Sequence, residues 1–162
     1  MKLRKLASLT AITILSFTAI AACNNVNSDR SVSNKSTAAK VYNKNGVAIQ
    51  GIDPVGYFKQ SKVVKGNNSF THEWNNATWK FASAENRDLF AANPEKYAPQ
   101  YGGYCAWAVG QGNLVPIDPS AWKIVNEKLY LNYNKSVQKT WEEDIPGNIA
   151  KADRNWPGLL NK

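Results

Sequence analysis

A run of helix and turn signals over residues 81–106 constrains the fold of this chain more than any other stretch. Ser83 is a good helix N-cap, so a helix is expected to follow the strand that ends at position 81. Asn93-Pro94 ends that helix. Gly102-Gly103 then predict a sharp bend, where backbone without side chains can approach a neighbour closely, and this bend delivers Cys105.

Two β-hairpins are predicted on either side of that stretch. The first has a two-residue turn at Asn75-Asn76, which pairs His72 with Trp79 and Phe70 with Phe81 on one apolar face. The second joins 122–125 to 128–133 through a turn near 126–127.

The tail carries two helical segments, one containing Trp141 and one that is expected to end before Pro157, with a break at Pro146-Gly147 between them. The sequence therefore predicts an α+β fold: a small, mainly antiparallel sheet of two hairpins with a central helix and two C-terminal helices.

Asp53 and Pro54 form a second local signal. Asp53 as N-cap with Pro54 at the first helical position predicts a single helical turn through Phe58. A metal ligand is the alternative role for Asp53.

The N-terminus has the pattern of a secretory signal. Basic residues at positions 2, 4 and 5 precede an apolar run, Leu6–Ala22, which is shorter than a typical membrane-spanning helix. The run ends in Ile20-Ala21-Ala22-Cys23, which resembles the lipobox of bacterial lipoproteins; an uncleaved membrane anchor is the alternative. The resemblance implies a signal peptide over 1–22 and membrane lipid attached to Cys23. Asn24 favours the outer membrane, with the protein facing the periplasm.

Residues 23–40 read as a lipidated cysteine and a disordered tether, because 24–40 contain no aromatic residue and almost no aliphatic one. Residues 41–162 then form one domain. Without residues 1–22 the formal charge falls from +8 to +5, with 17 basic against 12 acidic residues. The lysines are spread along the chain, which together with export argues against a nucleic-acid partner.

Five segments of the domain stand out: GIDPVGYF, FTHEWNNATWKFAS, NPEKYAPQYGGYCA, KLYLNY and EDIPGNIAKADRNWP. On these segments the domain resembles the exported branch of the YHS-domain family, over about 51–156. Metal-associated YHS domains typically carry cysteines at three positions that here read Gly56, Ala82 and Asn86. The thiolate site of the wider family therefore cannot exist here, and Cys105 is the single thiol of the domain. Some members of this branch place selenocysteine at the matching position. The resemblance therefore implies that Cys105 is chemically reactive.

Cys105 allows two local interpretations. A helix over 104–109 would place the sulfur in the first helical turn, where the macrodipole favours a reactive thiolate. A strand would bury the thiol and leave it inert. The single histidine also has two interpretations: His72 is a neutral core imidazole bonded to backbone, or a ligand or base beside Cys105.

Three functions follow from these residues. The first is an envelope lipoprotein that binds a soft or borderline metal ion, with copper favoured, through Cys105 and His72. The second is a single-cysteine redox protein in which peroxide oxidises Cys105 to a sulfenic acid. The third is a structural or interaction lipoprotein without chemistry. The sequence contains none of the usual hydrolase or phosphate-binding motifs, which leans against an enzyme.

Overall fold

The computed structural model describes residues 41–161. The strands within them are β1 Asn43–Lys44, β2 Val47–Ala48, β3 Asn67–Trp74, β4 Ala77–Phe81, β5 Asp118–Val125 and β6 Lys128–Asn132. The helices are α1 Pro54–Gln60, α2 Ala84–Ala92, α3 Pro94–Tyr97, α4 Ala106–Gly110, α5 Lys135–Glu142 and α6 Ile145–Leu160, with 3-10 turns at Ile49–Gly51 and Gln100–Gly103. The predicted α+β class is confirmed.

The strands form two small sheets, so the two predicted hairpins do not share one sheet. The first sheet has four strands in the order β1-β2-β4-β3, and its β2–β4 pair is parallel. The second sheet is the antiparallel β5–β6 hairpin alone. Its turn residues Asn126 and Glu127 have φ of 49° and 60°, which suits a two-residue hairpin turn.

The register of the β3–β4 hairpin is predicted correctly near the turn and wrongly at its open end. His72 pairs with Trp79, but Phe81 pairs with Asn67 instead of Phe70, because the register shifts between Asn67 and Thr71. Close packing accompanies this shift. Gly66 lies against β4, where an added Cβ would stand 2.4 Å from the carbonyl carbon of Lys80.

Two helices extend beyond their predicted bounds. Helix α1 continues past Phe58 to Gln60. Helix α6 has Pro146 in its first turn and runs through Pro157 to Leu160, so the expected end before Pro157 is wrong. A proline is tolerated there because it lies in the last turn, where the carbonyl that loses its partner belongs to the exposed Asp153.

The core is aromatic and has two clusters. In the first, Phe90 of α2 packs against Trp79 and Phe81 of β4, with ring centroids 4.9 and 5.1 Å apart. In the second, Trp141 of α5 packs on Tyr130 of β6 at 5.2 Å. None of the helices within 41–161 combines the length and the apolar character needed to cross a membrane.

Candidate functional site

The paired glycines form a left-handed turn that carries the chain into the core. Tyr101, Gly102 and Gly103 have φ of 55°, 60° and 83°. An added Cβ at Gly103 would lie 2.7 Å from Cγ2 of Ile49, and the carbonyl of Gly102 accepts a hydrogen bond of 2.9 Å from the backbone of Tyr42. The turn therefore packs directly on the start of the domain. A larger residue at Gly103 would require the neighbouring Ile49 to move.

Cys105 follows this turn as the N-cap residue of α4 and is completely buried, at 0 % exposure. Its backbone N–H donates to the carbonyl of Val115 at 3.1 Å, and it forms an isolated parallel bridge with Leu131 of β6. The structure thus joins two features that the sequence analysis kept apart. The residue stands at a helix start, but one that begins at Ala106, and the thiol is buried as the strand interpretation expected.

The polar surroundings of the sulfur centre on Asn132, the last residue of β6. Cys105 Sγ lies 3.8 Å from Asn132 Oδ1, which also accepts a hydrogen bond of 3.3 Å from the backbone N–H of Trp107. Burial raises the pKa of the Cys105 thiol, and backbone hydrogen bonds from Ala108, Tyr133 and Trp107 oppose that rise. The thiol is therefore held in its protonated form at neutral pH.

Asn132 is a functional candidate that the sequence analysis missed. It is completely buried, and within the described residues its Nδ2 has no hydrogen-bond partner. The sequence signal for Asn132 is its position as a polar residue directly after the apolar run Leu129–Leu131.

His72 lies on another element and in other surroundings. It is half-buried on β3, an edge strand, where its ring packs on Phe90 with centroids 6.0 Å apart. Across residues 41–161, no hydrogen bond joins it to Cys105, and no group of three or more His, Cys, Asp or Glu side chains is placed to hold a metal ion.

These residues do not fit a soft-metal site. Copper in its monovalent state prefers thiolate, thioether or imidazole ligands. Cys105 offers a protonated thiol, and this thiol donates to the amide oxygen of Asn132, a hard ligand. The expected metal role of Cys105 and His72 therefore gains no support from the geometry.

Asp53 is completely buried, and its carboxyl oxygens accept three hydrogen bonds. Oδ1 accepts from the backbone of Val55 at 2.9 Å, which is the N-cap bond of α1. Oδ2 accepts from the backbone of Ala82 at 2.9 Å and from Nδ2 of Asn86 at 2.7 Å. One carboxyl group thus ties the start of α1 to the β4–α2 junction, which is a structural role.

Of the three positions where the resemblance would place cysteine, two bond to this carboxyl group and the third bonds to the Asp53 backbone. Ala82 and Asn86 both donate to the carboxyl group, and the backbone N–H of Gly56 donates to the Asp53 carbonyl at 3.2 Å. A Cβ on Gly56 would lie 2.7 Å from Cγ2 of Val64, so a side chain is not accommodated there. An amide–carboxyl network occupies the place where the resemblance would put thiolates.

No protein-family model, curated protein or solved structure matches this chain. The predicted lipidation site Cys23, the signal peptide and the tether lie outside the described residues.

Proposed function

We propose that the protein is a lipid-anchored lipoprotein of the bacterial envelope whose YHS-like domain acts by binding a partner, without catalysis or thiol chemistry. One observation carries the part of the proposal that leaves out thiol chemistry: the single thiol of the domain is completely buried, and this burial raises its pKa. Reaction with a metal ion or an oxidant requires an accessible thiolate. Cys105 then serves as a small apolar residue of the core.

Native alkylation tests this role of Cys105. In the folded full chain near neutral pH, iodoacetamide is expected to leave Cys105 unmodified, and denaturant should expose it to complete modification. Mass spectrometry of the Cys105 peptide provides the measurement. The control is Ser136→Cys on the exposed side of α5, which should react in the native state. Modification of Cys105 at a rate close to that of the control would overturn the proposal.

A thiol redox protein is the second candidate, and the hydrogen bonds to the sulfur favour it. Backbone groups of Ala108, Tyr133 and Trp107 would stabilise a thiolate once it formed. The thiolate would attack peroxide, forming an S–O bond as the O–O bond breaks; hydroxide leaves and takes up the thiol proton as water. An external thiol would then reduce the sulfenic acid through a mixed disulfide.

Peroxide treatment separates the two candidates. If Cys105 is a core residue, the native protein should gain no oxygen at Cys105 before other side chains are oxidised. A rapid gain of one oxygen at Cys105 that dithiothreitol reverses would favour the redox candidate.

Copper binding by Cys105 and His72, which the sequence analysis favoured, can be tested directly. Titration of monovalent copper into the native chain is expected to show no stoichiometric binding that depends on the domain. Stoichiometric binding that is lost in both Cys105→Ala and His72→Ala would restore the metal hypothesis, since it would show that the two side chains meet in solution.

The anchor has its own test. Cys23→Ser is expected to leave an unlipidated precursor, because the lipobox cysteine is the residue that accepts the lipid. Recovery of normally processed, membrane-bound protein from that variant would remove the lipoprotein part of the proposal.

A further inference from the structure

Three lysines from separate segments meet around one open cleft, which we call the lysine cleft. They are Lys44 of β1, Lys65 before β3 and Lys80 of β4, and the cleft has a volume of about 680 Å³. The remaining lining is polar or small: Asn45, Val47, Gln50, Gly51, Gly66, Asn67 and Asn68. No carboxylate occurs among these described lining residues.

The charges in the lysine cleft are uncompensated. The ion pairs found within residues 41–161 involve Lys59, Arg87 and Lys123, and none involves a lysine of the cleft. Three lysines along one cleft, with no acidic residue in its lining, make the local electrostatic potential positive. An anion bound between them would be stabilised by that potential.

Two glycines of the cleft lining lie close to Lys80. An added Cβ at Gly51 would contact Cδ of Lys80 at 3.6 Å, and an added Cβ at Gly66 would stand 2.4 Å from the Lys80 carbonyl carbon. The backbone N–H of Gly66 donates to the Gly51 carbonyl at 3.0 Å, which joins the two glycines. A side chain at Gly66 would clash with β4, so the backbone of this lining is held close to Lys80.

One wall of the cleft is a strained left-handed turn. Ile49, Gln50 and Gly51 have φ of 37°, 59° and 76°, and such values are unusual for a β-branched residue such as Ile49. The turn is held by the Gln50 side chain, whose Nε2 donates to the Ile117 carbonyl at 2.7 Å. Backbone strain of this kind concentrates at ligand-binding sites.

We propose that the lysine cleft binds a phosphate-bearing anion. Lysine is a common phosphate ligand, and the amide side chains of Asn45, Asn67 and Asn68 supply neutral donors beside it. The volume is in the range of small-molecule sites, so the cleft has room for an organic group or a lipid glycerol beside the phosphate. A soluble phosphate ester and a lipid headgroup present the same chemistry. The inference rests on the proposed function only in treating the domain as a binding module.

NMR of the full chain in micelles of a neutral detergent tests the site. One arm adds glycerol 3-phosphate; the other dopes the micelles with phosphatidylglycerol; sodium chloride at matched ionic strength is the reference. We expect saturable shifts of the backbone amides of Gly51, Gly66 and Asn67 in one arm. Shifts with the soluble ester assign the ligand to a soluble phosphate, and shifts with the doped micelles alone assign it to a headgroup.

A charge-matched pair of triple variants gives the comparison. Lys→Gln at positions 44, 65 and 80 should weaken binding at least about tenfold, the effect of losing charge-assisted hydrogen bonds. The control removes the same three charges outside the cleft, at Lys96, Lys139 and Lys151, which are all exposed. It should bind within about twofold of the parent chain. If the triple variant does not fold, Lys65→Gln alone, at an exposed position, should still weaken binding.

Two outcomes overturn the inference: no saturable shift in either arm, or equal weakening in both triple variants, which would mean general surface charge. Alkylation of Cys105 in the same samples keeps the two proposals distinct. If the thiol is unreactive and phosphate causes no shift, only the proposal of a phosphate site in the lysine cleft fails. If the thiol is reactive and phosphate causes the expected shifts, only the proposal that Cys105 is an inert core residue fails.

Discussion

Asp53 and Cys105 are both completely buried, and both carry a group that could do chemistry, but their surroundings differ. The two oxygens of Asp53 accept three hydrogen bonds at 2.7 to 2.9 Å. The Cys105 sulfur has one side-chain contact at 3.8 Å, and its neighbour Asn132 keeps a buried Nδ2 without a partner within the described residues. A carboxyl group cannot be buried without such donors, whereas a thiol can be buried as a small apolar side chain.

The difference shows what holds each region together. Around Asp53 the side chain itself joins α1 to the β4–α2 junction. Around Cys105 the backbone holds the segment in place. Gly103 lies close to Ile49, and the Cys105 N–H donates to the Val115 carbonyl. Substitutions should therefore be costly at the Asp53 side chain and mild at the Cys105 side chain.

Asp53→Ala is expected to have the largest effect, lowering the free energy of unfolding by about 3 to 5 kcal/mol, because it leaves three buried donors without an acceptor. Urea unfolding followed by tryptophan fluorescence gives the value. The control is Asp144→Ala, which removes an exposed N-cap that accepts from Gly147 at 3.0 Å and should cost about 1 kcal/mol. Equal losses in the two variants would mean that Asp53 is no more than a helix cap.

Gly103→Ala should have the next largest effect, lowering the free energy of unfolding by about 2 to 4 kcal/mol. The alanine would be strained by the left-handed backbone and would be overpacked against Ile49. Gly112→Ala is the matched control, since Gly112 has φ of 80° but nothing within 4 Å of an added Cβ. It should lose about 1 to 2 kcal/mol from the backbone alone. Indistinguishable unfolding midpoints for the two variants would contradict the close contact at Gly103.

Cys105→Ala is expected to lower the free energy of unfolding by only about 1 kcal/mol, since it removes one buried atom from a packed core. The far-ultraviolet circular dichroism spectrum should not change. A loss above about 3 kcal/mol would show that the sulfur holds the region together more than the backbone does.

The smallest expected effect is a dependence on pH. Burial raises the pKa of the Cys105 thiol above the unfolded value of about 8.5, so its contribution to stability is complete below about pH 8.5. The contribution is lost as pH rises towards the folded pKa, with a limiting slope of about 1.4 kcal/mol per pH unit. Burial also raises the pKa of Tyr57 and Tyr101, but these act equally in both proteins. The stability difference between the parent chain and Cys105→Ala should therefore shrink as the pH rises above about 8.5; a constant difference would contradict the raised pKa.

Much of the fold could be predicted because its signals are local. The hairpin turns at Asn75-Asn76 and at Asn126 depend on asparagine, which tolerates positive φ, and the start of α2 depends on Ser83 as a cap. The register at Asn67 could not be predicted, because it depends on the approach of Gly66 to β4. The candidate sites were predicted only in part: the chain order shows Cys105 and His72 as the single thiol and imidazole of the domain, but not their distance from each other or from solvent.

The sequence by itself determined the fold class, the order of the hairpins and helices, and the place of Cys105 after a glycine bend, because turn and cap preferences act within a few residues. The tertiary structure decided that this thiol is buried beside Asn132, that Ala82 and Asn86 bond to the Asp53 carboxyl group, and that three lysines far apart in sequence line one cleft. These outcomes depend on packing between distant segments, and burial and local charge belong to that packing rather than to any residue alone.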